Sequence, residues 1–276
     1  MIEVRASPAK ITATLVVAVA MLVWTIPIYS LVVGSMKSLQ DVMSSPVFSP
    51  PRELDLTTLA SVAAELLTPM VNTVAIVLPT SLVATFLGAL AAYAIYRRSD
   101  RLSDTLMVLV AIATYIPYQA TLVPLVNIVK AFNLYNTLPG VILGFMIYYV
   151  PMAALLMSIF ITVVPKSMIE AGLVDGVSEF TMFTRIVLPV LGPGLVSTMV
   201  FLVIQTWNNF FIPLILTRGY EMHVTLKVFS YVGQSGTLYN QMFAAALIAS
   251  LPTLIIFIVL GRYFVRGLMV IGMGAK

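Results

Sequence analysis

The sequence predicts an all-α membrane protein with six transmembrane helices and one short cytoplasmic helix between the fourth and the fifth. Three observations carry that expectation. Of its 276 residues, 60% are hydrophobic and only 9% are charged, whereas a soluble domain carries about 25% charged residues. Six charge-free stretches exceed 18 residues: 11–36, 66–96, 105–129, 131–165, 186–217 and 228–261. Elsewhere the gaps between charges are 10 residues or fewer. A helix crosses the ~30 Å hydrocarbon core with about 20 residues, so even 131–165 is too short for two crossings and a turn. The third observation is that Leu15–Val23 and Leu254–Leu260 are continuously apolar. They lack the alternating segments of about ten residues that mark a membrane barrel.

Each element follows in order, within a single membrane domain over 1–276. Residues 1–10 form a short tail, and span 1 covers about 11–35. The apolar run after Lys10 is about twice the 7–15 residues of a signal-peptide core, so a retained helix is expected. Loop 37–65 contains Pro46, Pro50 and Pro51, which disfavour a long helix there. Span 2 covers about 70–96 and ends at the charged turn Arg97–Asp104. Span 3, about 105–129, contains Pro117 and Pro124, and a proline inside a span kinks it. Span 4 lies within 138–163, span 5 within 194–217 and span 6 within 241–262, with a tail from Tyr263 to Lys276. No internal repeat is strong enough to indicate inverted-repeat architecture.

Lys and Arg set the orientation. Ten (Arg5, Lys10, Arg97, Arg98, Arg101, Lys166, Arg185, Arg262, Arg266, Lys276) fall on one side of the six spans. Five (Lys37, Arg52, Lys130, Arg218, Lys227) fall on the other. The positive-inside rule makes the first side cytoplasmic, with both termini inside a cytoplasmic or inner membrane. The same bias explains a sequence pI near 9.3 without nucleic acid. There are no cysteines, which excludes disulfides and thiol chemistry, and one histidine, His223, cannot build a metal site alone and is read as an ordinary outer-loop residue. No catalytic residue and no metal site are expected.

The loop 164–190 is charged within an apolar chain. Pro165 ends span 4, and Ser167 with Glu170 has capping-box spacing, so a short helix is expected from Met168. Gly176 can end it in the left-handed conformation. Phe180 and Phe183 follow before Arg185 leads back to the membrane.

The run Glu170-Ala171-Gly172, three residues, Gly176, nine residues, Ile186, Val187, Leu188-Pro189 resembles the EAA motif of ABC importer permeases. That pattern has Ala where this chain has Gly172. Other segments resemble the carbohydrate-uptake, maltose-type, binding-protein-dependent branch: Ala89–Ala94 with Arg97, Ile116-Pro117, Leu122–Leu125, Thr206–Phe210, Val265–Leu268 and Gly272–Lys276. The resemblance covers 11–276. It implies that Glu170, Ala171, Gly172, Asp175 and Gly176 form a coupling helix seated in a groove of an ATPase subunit. It further implies a second permease subunit, usually a different chain, two ATPase subunits and an extracytoplasmic solute-binding protein. ATP and magnesium would be bound by the ATPase. In this chain Gly267 and Gly272 have phosphate-loop spacing, but Met273 stands where that loop needs Lys.

Candidates for the solute path are the polar groups of the spans. Gln205, Asn208 and Asn209 have i, i+3, i+4 spacing and would share a helix face. Polar groups at that depth face a cavity or another helix. Both readings stand: a lining for a hydroxyl-rich solute, or hydrogen bonds between helices. Trp207 could stack on a sugar or anchor at the interface. Asn72, Thr114, Tyr115 and Gln119 are further candidates. The alternatives are a permease for glycerol phosphate, a polyol or a peptide, and an ion-coupled secondary carrier. No acid occurs within the six spans, which disfavours the carrier. A membrane enzyme has no evident catalytic group.

Overall fold

A computed structural model describes residues 8–98, 100–233 and 236–273. The helices are α1 (Pro8–Ser35), α2 (Leu39–Ser44), α3 (Thr57–Arg98), α4 (Arg101–Tyr115), α5 (Leu122–Ala131), α6 (Leu138–Phe160) and α7 (Lys166–Val174). They continue with α8 (Glu179–Thr181), α9 (Leu188–Val190), α10 (Gly192–Trp207), α11 (Phe211–Leu216), α12 (Val224–Ser230) and α13 (Tyr239–Met273). A two-residue antiparallel pairing joins Val232–Gly233 to Gly236–Thr237.

Among the described residues, four helices are long and apolar enough to cross a membrane: Thr12–Ser35, Thr57–Arg98, Leu138–Val163 and Tyr239–Gly261. Two bent pairs raise the number to six if each is one span. The first, Arg101–Tyr115 with Tyr118–Ala131, turns by 90°. Its cause is Pro117, which drives the preceding Ile116 into extended backbone (ψ 122°) and stops α4. Pro124 lies in the first turn of α5, where no intrahelical donor is lost, and it breaks nothing. The second pair, Glu179–Val190 with Gly192–Trp207, turns by 81°. Pro193 has no N–H to continue the ladder across Leu191.

Several expected boundaries move. α3 begins at Thr57 rather than near residue 70. Its 42 residues correspond to about 63 Å of helix, about twice the thickness of the hydrocarbon core. Span 3 is not one kinked helix but two helices at right angles. Span 5 is helical only to Trp207 and resumes at Phe211. The expected tail from Tyr263 is helical to Met273, while Gly274–Lys276 and residues 1–7 of the N-terminal tail lie outside the described residues.

Two compact units are defined by their contacts. In the first, residues 1–67 with 228–250, α1 exposes a nearly continuous apolar surface including Trp24. Its 36–56 loop is ordered around Lys37, which is buried. The Lys37 ammonium donates to Ser45 Oγ (2.9 Å), Pro46 O (3.1 Å) and Ser49 Oγ (3.1 Å). Asp41 accepts from the Arg52 N–H at 3.0 Å, a bond that holds its carboxyl below the usual range. Tyr231 donates to Glu65 at 2.9 Å in the same unit.

The second unit comprises residues 68–227 and 251–276. One buried cluster joins α3, α6, α7 and the 182–191 segment through Ala89, Tyr93, Met157, Ile169, Met182 and Phe183. Another joins α3, α5, α6 and α11 through Ile76, Leu125, Val141, Phe145, Ile212 and Leu216.

Candidate coupling loop and solute path

The helix after Pro165 forms, but not as a capping box. Pro165 itself is the N-cap, no side chain caps the end, and α7 starts at Lys166. Ser167 is therefore inside the first turn. The far end closes as expected at Gly176, whose φ is +74°. The Gly176 N–H donates to Leu173 O (3.1 Å) and the Val177 N–H to Gly172 O (3.0 Å). These are the two bonds of a Schellman cap.

α7 has two faces. Glu170, Ala171, Asp175 and Val174 are exposed, Val174 by 89%. Ile169 and Gly172 are buried. Gly172 is therefore no part of an exposed docking surface, which corrects the expectation. A Cβ there would lie 2.3 Å from Met182 Cε and 3.0 Å from its Sδ. The π-helical turn Met182–Val187 places Met182, Phe183 and Val187 all inside.

The end of α3 holds both flanks of α7. Tyr96 donates to Val164 O at 3.0 Å, and the Lys166 ammonium lies 5.4 Å from the centre of the Tyr96 ring. On the other flank Glu179 pairs with Arg97 and accepts from Tyr93 at 3.2 Å. Phe183 packs against Tyr93 (5.5 Å between centroids) and edge-on to Phe86 (5.6 Å). Sequence reasoning assigned Tyr93, Tyr96 and Glu179 no role. Tyr93, Tyr96 and Arg97 stand at i, i+3 and i+4, a legible signal of one helix face.

The polar triplet of span 5 does not form one face. α10 stops at Trp207, and each asparagine serves a helix end. Asn208 caps α10 and donates back to Ile204 O at 2.9 Å. Asn209 accepts from the Ile212 N–H at 3.0 Å to start α11, and its side chain also bonds to Tyr149. Only Gln205 and Asn208 remain exposed. Trp207 is 3% exposed and offers no face to a solute. Asn72 is committed to Glu221 O at 2.9 Å. Gln119 is exposed on the turn Tyr118–Thr121.

Sequence reasoning missed the cavity that the Pro117 break creates. It measures about 300 Å³ and is lined by Thr114, Tyr118, Thr121, Tyr148 and Tyr149 among apolar residues. The Tyr118 and Tyr148 rings lie 5.7 Å apart, and the Thr121 and Tyr148 hydroxyls are 2.8 Å apart. None of its lining residues is charged. Aromatic faces beside hydroxyls suit a neutral polyhydroxylated molecule.

His223 is no ordinary loop residue. It is fully buried beside the Phe145 ring, and its Nδ1 lies 2.9 Å from Thr225 Oγ1, which donates to Asn209 O. Next to it the Val224 N–H donates to Thr73 Oγ1 at 2.8 Å. Burial pushes the imidazole down to about 4.

Broken apolar spans and a short helix with an exposed acidic face define a membrane-embedded transport component. Residues 84–270 match the family described as binding-protein-dependent transport system inner membrane component, and the chain belongs to that family. It is 44% identical over 270 residues to the glucose import system permease protein GlcU of Saccharolobus solfataricus, covering 95% of this chain and 94% of that one. It is 28% identical over 257 residues to the melibiose/raffinose/stachyose import permease protein MelC of Bacillus subtilis, covering 92% and 93%. A bacterial ABC transporter that imports alginate contains a chain of the same fold. Its TM-score is 0.78 at 18% identity, covering 94% of this chain and 99% of that one.

Proposed function

We propose that this chain is one of two membrane subunits of an ATP-driven importer, and that its solute is a neutral sugar, with glucose the first to test. Similarity along nearly the whole chain to a glucose import permease carries the reading. The uncharged cavity at the span 3 break supports a sugar over glycerol phosphate, whose anion would call for a basic partner. Tyr118, Tyr148, Thr114 and Thr121 are its lining candidates, with Gln205, Asn208 and Gln119 as exposed polar groups that could border the path.

In this reading α7 faces the cytoplasm with both termini. Glu170, Ala171, Val174 and Asp175 contact a separate ATPase subunit that binds ATP and magnesium. A second permease subunit completes the pore, and a solute-binding protein delivers sugar from outside. Closure of the two ATPases draws the coupling helices together and opens the cavity outward. The test is reconstitution with these partners and measurement of glucose-stimulated ATP hydrolysis and uptake across a panel of sugars. Glu170→Ala should lower uptake several-fold while the subunit still inserts. Normal uptake and ATPase association in that variant would remove the coupling role. Equal response to sugars and to an anionic solute would remove the substrate assignment. A cysteine in place of Glu53 should label from outside and one in place of Ser178 only after permeabilisation; the reverse pattern would invert the orientation.

A further inference from the structure

Resting on that reading, we infer that α3 is the helix that receives the motion of α7, and that Glu179 is the positioning residue of the joint. The observation is a two-point clamp. Tyr93, Tyr96 and Arg97 follow one another at i, i+3 and i+4 and project from one face of α3. Tyr96 holds the segment where it enters α7, through Val164 O and the Lys166 ammonium. Tyr93 and Arg97 hold the segment where it leaves, both through the Glu179 carboxylate. Between these two points Ile169 and Met182 share a fully packed cluster with Ala89 and Tyr93.

A rod held on both flanks against one face cannot tilt or slide without carrying that face along. The exposed side of α7, with Glu170, Val174 and Asp175, is then the input surface, and α3 is the lever. α3 is also unbroken from Thr57 to Arg98, whereas the helices that follow the coupling segment turn by 81° between Val190 and Gly192. A displacement sent into α3 therefore enters a helix that continues without a break.

The ion pair contributes little to stability. Its two side chains are 36% and 50% exposed, and pairs in that setting are weak contributors to folding. Neutralising either partner should therefore leave a folded subunit and expose the coupling role alone.

The experiment uses the assembled complex with spin labels at Ser167 on α7 and Leu82 on α3, both exposed and neither in the surface assigned to the ATPase. Wild type should give one narrow distance distribution that does not change on ATP binding. Glu179→Gln and Arg97→Gln should broaden it and lower sugar transported per ATP hydrolysed at least about five-fold, with ATPase association and thermal stability unchanged. Tyr93→Phe should have a smaller effect in the same direction. The exchanged pair Glu179→Arg with Arg97→Glu should restore the narrow distribution and bring coupling to within about two-fold of wild type, while a merely structural contact would show itself in the single variants as lowered thermal stability. An unchanged distribution in the single variants, or no recovery in the exchanged pair, overturns the clamp. A clamp verified by distance in a complex that fails to move any sugar would instead overturn the function proposed above.

Discussion

Gly172 occupies the position where the EAA pattern carries a second alanine, and the structure supplies a reason that can be tested. Alanine would favour the middle of α7 by about 1 kcal/mol. Its Cβ would also sit 2.3 Å from Met182 Cε, 3.0 Å from Sδ and 3.6 Å from Ile186 Cδ1. The end of a methionine is flexible, but Met182 is fully buried among Ile169, Phe183 and Val187 and has little room to retreat. Overpacking of this kind costs about 1–3 kcal/mol. The two effects nearly offset, so Gly172→Ala alone should cost between about 0 and 2 kcal/mol. The informative measurement is a double-mutant cycle with Met182→Val, which removes the two atoms that obstruct the new methyl group. Met182→Val alone leaves a void and destabilises. In the double variant the alanine Cβ fills part of that void, so the combined loss should fall short of the sum by at least about 1 kcal/mol. For a chain of this size that is about 2–4 °C in the thermal midpoint of the solubilised subunit. Independent sites add to within about 0.5 kcal/mol. Additivity within that margin would refute the argument that Met182 is why this position is glycine.

Three further outcomes follow from other sites. Gly176 has φ +74° and open space where a Cβ would go, so replacement costs only backbone strain, about 1–2 kcal/mol for Ala or Leu. Gly176→Asn, which tolerates that conformation, should lose less by thermal midpoint; equal losses would contradict the assignment. His223 ionises near pH 6.5 when unfolded and near 4 when folded, so the unfolded chain takes up its proton first as pH falls. The contribution of His223 to stability should drop by about 3 kcal/mol between pH 6.5 and 4 and level off below. Asp41, Asp55 and Asp100 are held below 3.8 and titrate under that window, so His223→Phe should flatten the profile there; an unaltered slope would place its origin elsewhere. Lys37→Met removes three hydrogen bonds at once, to Ser45 Oγ, Pro46 O and Ser49 Oγ, at a cost of about 1–3 kcal/mol. Trypsin cleavage after the exposed Arg52 should then accelerate about ten-fold or more, and an unchanged rate would deny Lys37 its organising role.

The long apolar helices and the short helix were legible because charge spacing measures membrane thickness and because Gly176 marks a left-handed stop. The EAA spacing likewise marked the segment that forms α7 and its glycine stop before any contact was known. What escaped reading was the effect of single prolines in context. Pro117 and Pro124 look alike in sequence, yet one turns the chain by 90° and the other sits harmlessly in a first turn. The polar triplet of span 5 failed for a related reason. Helical spacing predicts a shared face only while the helix continues, and Asn208 and Asn209 are the residues that end one helix and begin the next. The burial of Gly172 and His223 depends on what packs over them from distant segments, and no local pattern records that.

The 36–56 loop carries its own counter-ion. The Lys37 ammonium occupies the centre of a ring of oxygens from Ser45, Pro46 and Ser49, much as a bound metal cation organises a surface loop. A metal would leave when its concentration outside the membrane fell; an ammonium tethered by four carbons is always present at saturating local concentration. The Lys37 centre of this loop therefore needs no ion taken from the medium that bathes it.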